Sequence, residues 1–237
     1  MPVVGAGGPV RKRLPADPAR AGMDATETTV AAVRDAGDDA LAVDLETPPG
    51  FEAEPGQFVK LTTTVDGESA SRFYTISSPD ALGTFTFTVG FDPEEAGPFS
   101  DYLRELDAGD VVTLSGPFGR NSYEAEPRVV VVAGGPGIGP AVAIAERALA
   151  EDNEVAVVYR DDALIHEARL AANAAAGADV FVLSGEEPLT DATAAALSGA
   201  DGEQTFVYGF SDFLADAEAA IAAAGFDPEA AKAENFG

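Results

Sequence analysis

The stretch Arg72-Phe73-Tyr74-Thr75, continuing as Ile76-Ser77-Ser78-Pro79, sets a guanidinium, two aromatic rings and a hydroxyl side by side. In a strand with alternating side chains, Arg72 and Tyr74 take one face and Phe73 and Thr75 the other. Arginine matches a phosphate bidentately, tyrosine offers an aromatic face with a polar end, and threonine can donate at a ring edge. These types at this spacing suit a flat, phosphorylated ligand. A solvated edge strand with one buried aromatic satisfies the same four residues.

A second stretch carries chemistry of another kind. Arg128-Val129-Val130-Val131-Val132-Ala133 is a continuous apolar run, as a parallel strand buried on both faces requires. Gly134-Gly135-Pro136-Gly137-Ile138-Gly139-Pro140 follows, then an alanine-rich helix to about residue 150. A glycine turn between strand and helix is where an α/β sheet receives a nucleotide phosphate. The pattern here is G-x-G-x-G-P rather than G-x-G-x-x-G, and a tight turn without ligand also favours glycine.

The elements that must position these stretches fall into two classes. Residues 28–33, 40–46, 57–65, 71–77, 84–91 and 111–115 are β-rich runs split by Pro, Gly and Asp turns. In Thr84-Phe85-Thr86-Phe87-Thr88-Val89 the apolar residues fall on every second position. Six short strands with one helical interruption at 99–106 predict a six-stranded antiparallel β-barrel, with Ser100 as the N-cap of that helix. Beyond the linker 120–128, strands at 154–159, 179–183 and 205–208 alternate with helices at 163–175, 191–197 and 212–224. That alternation predicts a doubly wound parallel α/β domain. The expected division is a barrel at 23–120 and an α/β domain at 128–237. Residues 1–22 hold Arg11, Lys12, Arg13 and Arg20 without periodicity, and are expected to be a disordered tail or a mis-assigned start, Met23 being an alternative first residue.

Composition removes whole classes of chemistry. With no cysteine the chain has no disulfide, no thiolate nucleophile and no cysteine-ligated iron–sulfur cluster. One histidine, His166, supports neither a histidine-rich metal site nor a Ser-His-Asp triad, and is read as structural. No metal ligand set is expected. No apolar run is long enough to span a bilayer. The net charge of −27, spread along the chain, opposes nucleic acid and anionic membranes. It predicts a cytoplasmic protein of a salt-accumulating halophile, where such self-repulsion is screened.

From about residue 26 to the end, the order of features resembles the ferredoxin reductase-like flavoenzyme family. Pro55-Gly56-Gln57-Phe58-Val59 is similar to the strand before that family's flavin motif, and Arg72-Phe73-Tyr74-Thr75 matches its R-x-Y-[ST]. Gly97-Pro98-Phe99-Ser100 with Tyr102-Leu103 resembles its second flavin-phosphate segment, and Ser115-Gly116-Pro117-Phe118-Gly119 matches the G-P-x-G that closes the barrel. The turn from Gly134 through Gly135, Gly137 and Ile138 resembles its nicotinamide-nucleotide loop. The resemblance implies FAD as cofactor, with Arg72 on the pyrophosphate, Tyr74 against the isoalloxazine and Thr75 near the reactive nitrogen N5. It implies that Gly97, Pro98, Phe99 and Ser100 hold the pyrophosphate, and that Phe73 joins the cofactor site. Gly135 and Gly137 would let NAD(P)H approach the backbone. The terminal Glu234-Asn235-Phe236 resembles the family's E-x-F, which makes Phe236 a candidate cover for the flavin.

Two departures stand out. Pro136 replaces a common threonine and offers neither N–H nor hydroxyl. Tyr208 occupies the place of a cysteine that lies near the nicotinamide in many members. Glu186 and Glu187 after the third α/β strand oppose a 2′-phosphate and favour NADH over NADPH. The implied activity is NAD(P)H oxidation with electrons passed to a small-molecule or one-electron protein acceptor such as ferredoxin. The alternative is a flavin-binding electron-transfer subunit of a larger complex.

Overall fold

The computed structural model of the 237-residue chain describes residues 22–65, 67–91 and 97–236, so the expected tail at 1–22 lies, except for Gly22, outside them. Six strands form the first sheet: β1 (Met23–Gly37), β2 (Ala40–Glu46), β3 (Phe58–Val65), β4 (Glu68–Thr75), β5 (Thr84–Gly90) and β6 (Val111–Phe118). Their order is β4-β3-β6-β1-β2-β5, every pairing antiparallel. The sheet curls until its outer strands meet at one bridge, Ile76 with Phe87, supported by Ser77 N–H donating to the Thr86 carbonyl at 2.8 Å. Inward-pointing Val43, Leu45, Leu61, Phe85, Phe87 and Leu114 fill the interior.

β1 is longer than its apolar pattern predicts because it serves two partners. Its first half pairs with β6 and its second with β2, and a register shift between Val30 and Ala32 bends it around the corner. The polar Arg34 and Asp35 on the second half are outward-facing, with Arg34 bound to Asp44 at 2.6 Å, so they give no apolar signal. The helix of this half among the described residues, α1 (Pro98–Arg104), starts one residue earlier than expected and its N-cap is Gly97, not Ser100, which lies inside the first turn.

The second sheet is parallel, in the order β11-β10-β7-β8-β9, formed by β7 (Arg128–Gly134), β8 (Glu154–Arg160), β9 (Asp179–Leu183), β10 (Glu203–Gly209) and β11 (Lys232–Asn235). Helices α2 (Ile138–Ala150), α3 (Glu167–Ala175), α4 (Thr190–Ala196) and α5 (Ser211–Ala223) cover its faces. Helix α3 begins four residues later than expected. The Asp161 carboxylate accepts Ala163 N–H at 3.2 Å, and His166 takes a left-handed φ of 57°, so the segment before it is turn. β11 was not expected at all: Lys-Ala-Glu-Asn has no strand propensity, and the open edge of β10 supplies its pairing.

The two sheets share apolar packing. Ala36, Ala40 and Ala42 of the barrel belong to the same cluster as Val129, Ile138, Tyr159 and Ile165 of the α/β half. A polar chain crosses the same boundary. Thr88 Oγ1 donates to Ser77 Oγ at 2.8 Å, so His166 Nε2, 2.8 Å from Thr88, must carry the proton and donate. Burial, with Arg169 and Arg34 nearby, pushes His166 down to about 3, which keeps it neutral and structural. No helix among the described residues is long and apolar enough to cross a membrane.

Candidate functional site

A cleft of about 570 Å³ opens between the halves, within the range of small-molecule sites. β4 supplies its first wall. Antiparallel pairing with β3 puts Tyr74 beside Val59 and Arg72 beside Leu61, and Phe73 beside Lys60 on the other face. Arg72, Phe73, Tyr74 and Thr75 all line the cleft. The Tyr74 ring lies 4.9 Å from that of Phe87, and burial pushes its hydroxyl well above the ordinary value. Phe73 stays 61% exposed, its ring edge-on to Phe58 at 5.5 Å. Arg72 donates to the Ser71 carbonyl and lies 5.6 Å from the Phe99 ring centroid, and no carboxylate pairs with it among the described residues. In a chain with 41 acidic residues, a cation held this way suits an anionic ligand.

Gly97, Pro98, Phe99 and Ser100 form the next wall. Gly97 is extended, with no described residue within 4 Å of the place a side chain would fill. The N–H groups of Phe99 and Ser100, in the first turn of α1, lack intrahelical acceptors. Among the described residues, this cradle, donors with no intrahelical acceptor and a cation paired with no carboxylate fit a pyrophosphate, and the Tyr74 ring fits a flat ring system.

The glycine turn divides its labour differently from the sequence reading. Gly135, at φ 55°, faces open space. Gly134 is packed on the Phe213 ring and Gly137 on the backbone carbonyl of Tyr208, so these two admit neighbouring protein rather than a ligand. The Ile138 side chain is fully buried in the core and its N–H donates inside the turn, to Gly135 and Pro136 carbonyls. None of these four lines the cleft, whereas Pro136 does, and Gly90 of β5 abuts its ring, a side chain there lying 3.2 Å from it.

β11 brings the chain's end to the same place. Glu234, Asn235 and Phe236 line the cleft beside Phe210. Phe236 N–H donates to the Gly209 carbonyl at 3.0 Å, and its ring sits 6.4 Å from Tyr208 and 6.3 Å from Phe210. Tyr208 itself is fully buried and points to the barrel, donating to the Asn121 carbonyl at 3.1 Å, so it does not enter the cleft. Thr75 Oγ1 donates to Glu234 Oε1 at 2.9 Å across 159 residues of sequence. Burial pushes the Glu234 carboxyl up to about 7, the Thr75 hydrogen bond opposing. Glu234 is the cleft-lining carboxyl that sequence reasoning missed. The E-x-F ending held the signal, yet only its phenylalanine was given a role.

Residues 36–123 match the family model described as an oxidoreductase FAD-binding domain. The flavohemoprotein of Pseudomonas putida is 32% identical over 113 residues, covering 47% of this chain and 28% of that protein. The probable dihydroorotate dehydrogenase B (NAD(+)) electron transfer subunit of Methanopyrus kandleri is 38% identical over 94 residues, covering 40% of this chain and 33% of that protein. The chain thus spans a third or less of the length of these relatives. Among solved structures, the flavohem-like FAD/NAD binding domain of nitric oxide dioxygenase from Vibrio cholerae superposes with a TM-score of 0.77 at 22% identity, over 92% of this chain and 100% of that one. A ferredoxin NADP+ reductase from Neisseria gonorrhoeae, with bound FAD and NADP, gives 0.74 at 18% identity, over 90% and 99%. At such identities the likeness is one of fold.

Proposed function

Because residues 36–123 belong to the oxidoreductase FAD-binding domains, within a ferredoxin reductase-like two-domain fold, we propose that the chain is an FAD-dependent NAD(P)H oxidoreductase serving a one-electron acceptor. One observation carries this reading: β4, the Gly97–Ser100 segment, the β7–α2 turn and the chain's end all contribute to one cleft. Bound there, FAD would supply the chemistry, exchanging hydride with a nicotinamide and releasing electrons singly.

The chain's own residues bind and orient. Arg72 and the N–H groups of the first turn of α1 neutralise the phosphates. Tyr74 packs one ring face, and Phe236 covers the cleft and excludes water. Glu234, at about 7, holds or yields a proton at Oε within reach of Thr75, whose hydroxyl orients it. A redox protein such as a ferredoxin is the acceptor class proposed, with repulsion between acidic partners screened by salt.

The likeness to an electron transfer subunit favours a second reading, flavin binding inside a larger complex without independent turnover. Anaerobic addition of NADH and of NADPH to the flavin-loaded protein separates the two. Bleaching of the visible flavin bands supports the reductase. A flavin that stays oxidised supports the subunit, and failure to take up FAD removes both.

A further inference from the structure

On the reading above, the nucleotide of NAD(P)H lies over the turn between β7 and α2, and one carboxylate stands beside that turn. The space left open at Gly135 has a single neighbour within 4 Å, Asp161 Oδ2 at 4.0 Å. Asp161 directly follows β8, at the carboxyl edge where a doubly wound sheet receives an adenosine ribose.

Both of its oxygens are anchored. The Tyr159 hydroxyl donates to Oδ2 at 3.0 Å, and Ala163 N–H donates to Oδ1 at 3.2 Å. Tyr159 is fully buried, and its own oxygen accepts Ile165 N–H at 3.2 Å, which ties the carboxylate to the core. A carboxylate offers about four acceptor sites, so about two remain. A ribose diol brings two donors for them. A 2′-phosphate brings acceptors only, with roughly two negative charges.

The neighbouring cation is spoken for. Arg160 Nη2 binds Asp216 at 2.7 Å, and its guanidinium carbon lies 5.2 Å from the Phe213 ring centroid. The glutamate pair read from the sequence contributes less than its charge implies, because Glu187 is turned onto its own loop, accepting from Ser184 N–H at 2.7 Å and Ser184 Oγ at 2.9 Å.

We propose that Asp161 selects the coenzyme, accepting the 2′- and 3′-hydroxyls of the NADH adenosine ribose and rejecting the 2′-phosphate of NADPH. The proposal rests on nucleotide binding at the β7–α2 turn, and the test separates the two. The full chain, loaded with FAD, is titrated calorimetrically with ADP-ribose and with 2′-phospho-ADP-ribose, as wild type, Asp161→Asn and Glu186→Gln. Wild type is expected to bind ADP-ribose at least about tenfold tighter; Asp161→Asn should weaken ADP-ribose about tenfold and shrink the preference, with Glu186→Gln close to wild type. Asp161→Asn with the wild-type preference intact overturns the assignment. So does a wild type that takes the 2′-phospho form as tightly, which needs no variant at all. If neither fragment binds while FAD stays bound, nucleotide binding at this turn is refuted and the assignment falls with it.

Discussion

Glu234 couples stability to pH, and Glu234→Gln isolates that coupling. Burial raises its carboxyl from 4.5 to about 7, so the native state holds the proton more tightly than the unfolded chain does. The sign follows: the stability due to this proton is complete below 4.5 and is lost as pH rises through about 7. At about 1.4 kcal/mol per pH unit, the whole effect is about 3 kcal/mol, of which about 2 kcal/mol falls between about pH 5.5 and 8. Glutamine is neutral at every pH, has the same shape, and keeps an oxygen to accept from Thr75. The variant should therefore be the more stable protein at about pH 8, and its advantage should shrink steadily on acidification. Urea unfolding of the flavin-free protein across that window, at constant salt, gives the difference between the two chains. The other carboxylates cancel in that difference, which matters with 41 acidic residues. A difference flat with pH, or a glutamine variant less stable at about pH 8, refutes the reasoning.

Arg72→Ala should weaken FAD about 10- to 100-fold, read from quenching of flavin fluorescence, because it removes a charge-assisted contact to phosphate. Gly137→Ala should destabilise the fold by about 3 kcal/mol in thermal or urea unfolding, since its new methyl meets the Tyr208 carbonyl and lies 3.0 Å from Tyr208 Cβ. Gly135→Ala at φ 55° meets nothing closer than Asp161 and should cost only about 1 kcal/mol, so equal losses at the two positions would contradict the roles given them. His166→Ala should cost about 1–3 kcal/mol by leaving the buried Thr88 oxygen without its donor across the two halves, measured by the same unfolding.

How much of this was legible in the chain depends on whether a residue's role is local. The alternation in Thr84–Gly90 and the unbroken apolar run in Arg128–Gly134 distinguished the two kinds of sheet, although the alternation did not show that Thr86 and Thr88 on the outer face are buried too, bound to Asp44 and His166. Arg72 to Thr75 and Gly97 to Ser100 could be singled out because guanidinium, ring and open glycine carry their chemistry with them. The glycine turn between β7 and α2 was legible as a turn, but its glycines were assigned by motif. Only packing separates Gly135, which faces space, from Gly134 and Gly137, which are pressed against Phe213 and Tyr208.

The C-terminal edge lay beyond any local pattern. Lys232 to Asn235 become a strand because β10 offers an unpaired edge, and because the Lys232 ammonium is held by Glu124, Glu126 and the Ser122 carbonyl. That strand carries Glu234 to Thr75, which lies 159 positions earlier. Proton affinity there is set by burial between two domains, a property no single stretch possesses. The sequence by itself determined which ligand chemistry the chain can offer and the two sheet types that bear it. Tertiary structure decided which of those groups meet, which glycines are merely packed, and which carboxyl is raised into the working pH range, because each depends on desolvation and distance between segments far apart in the chain.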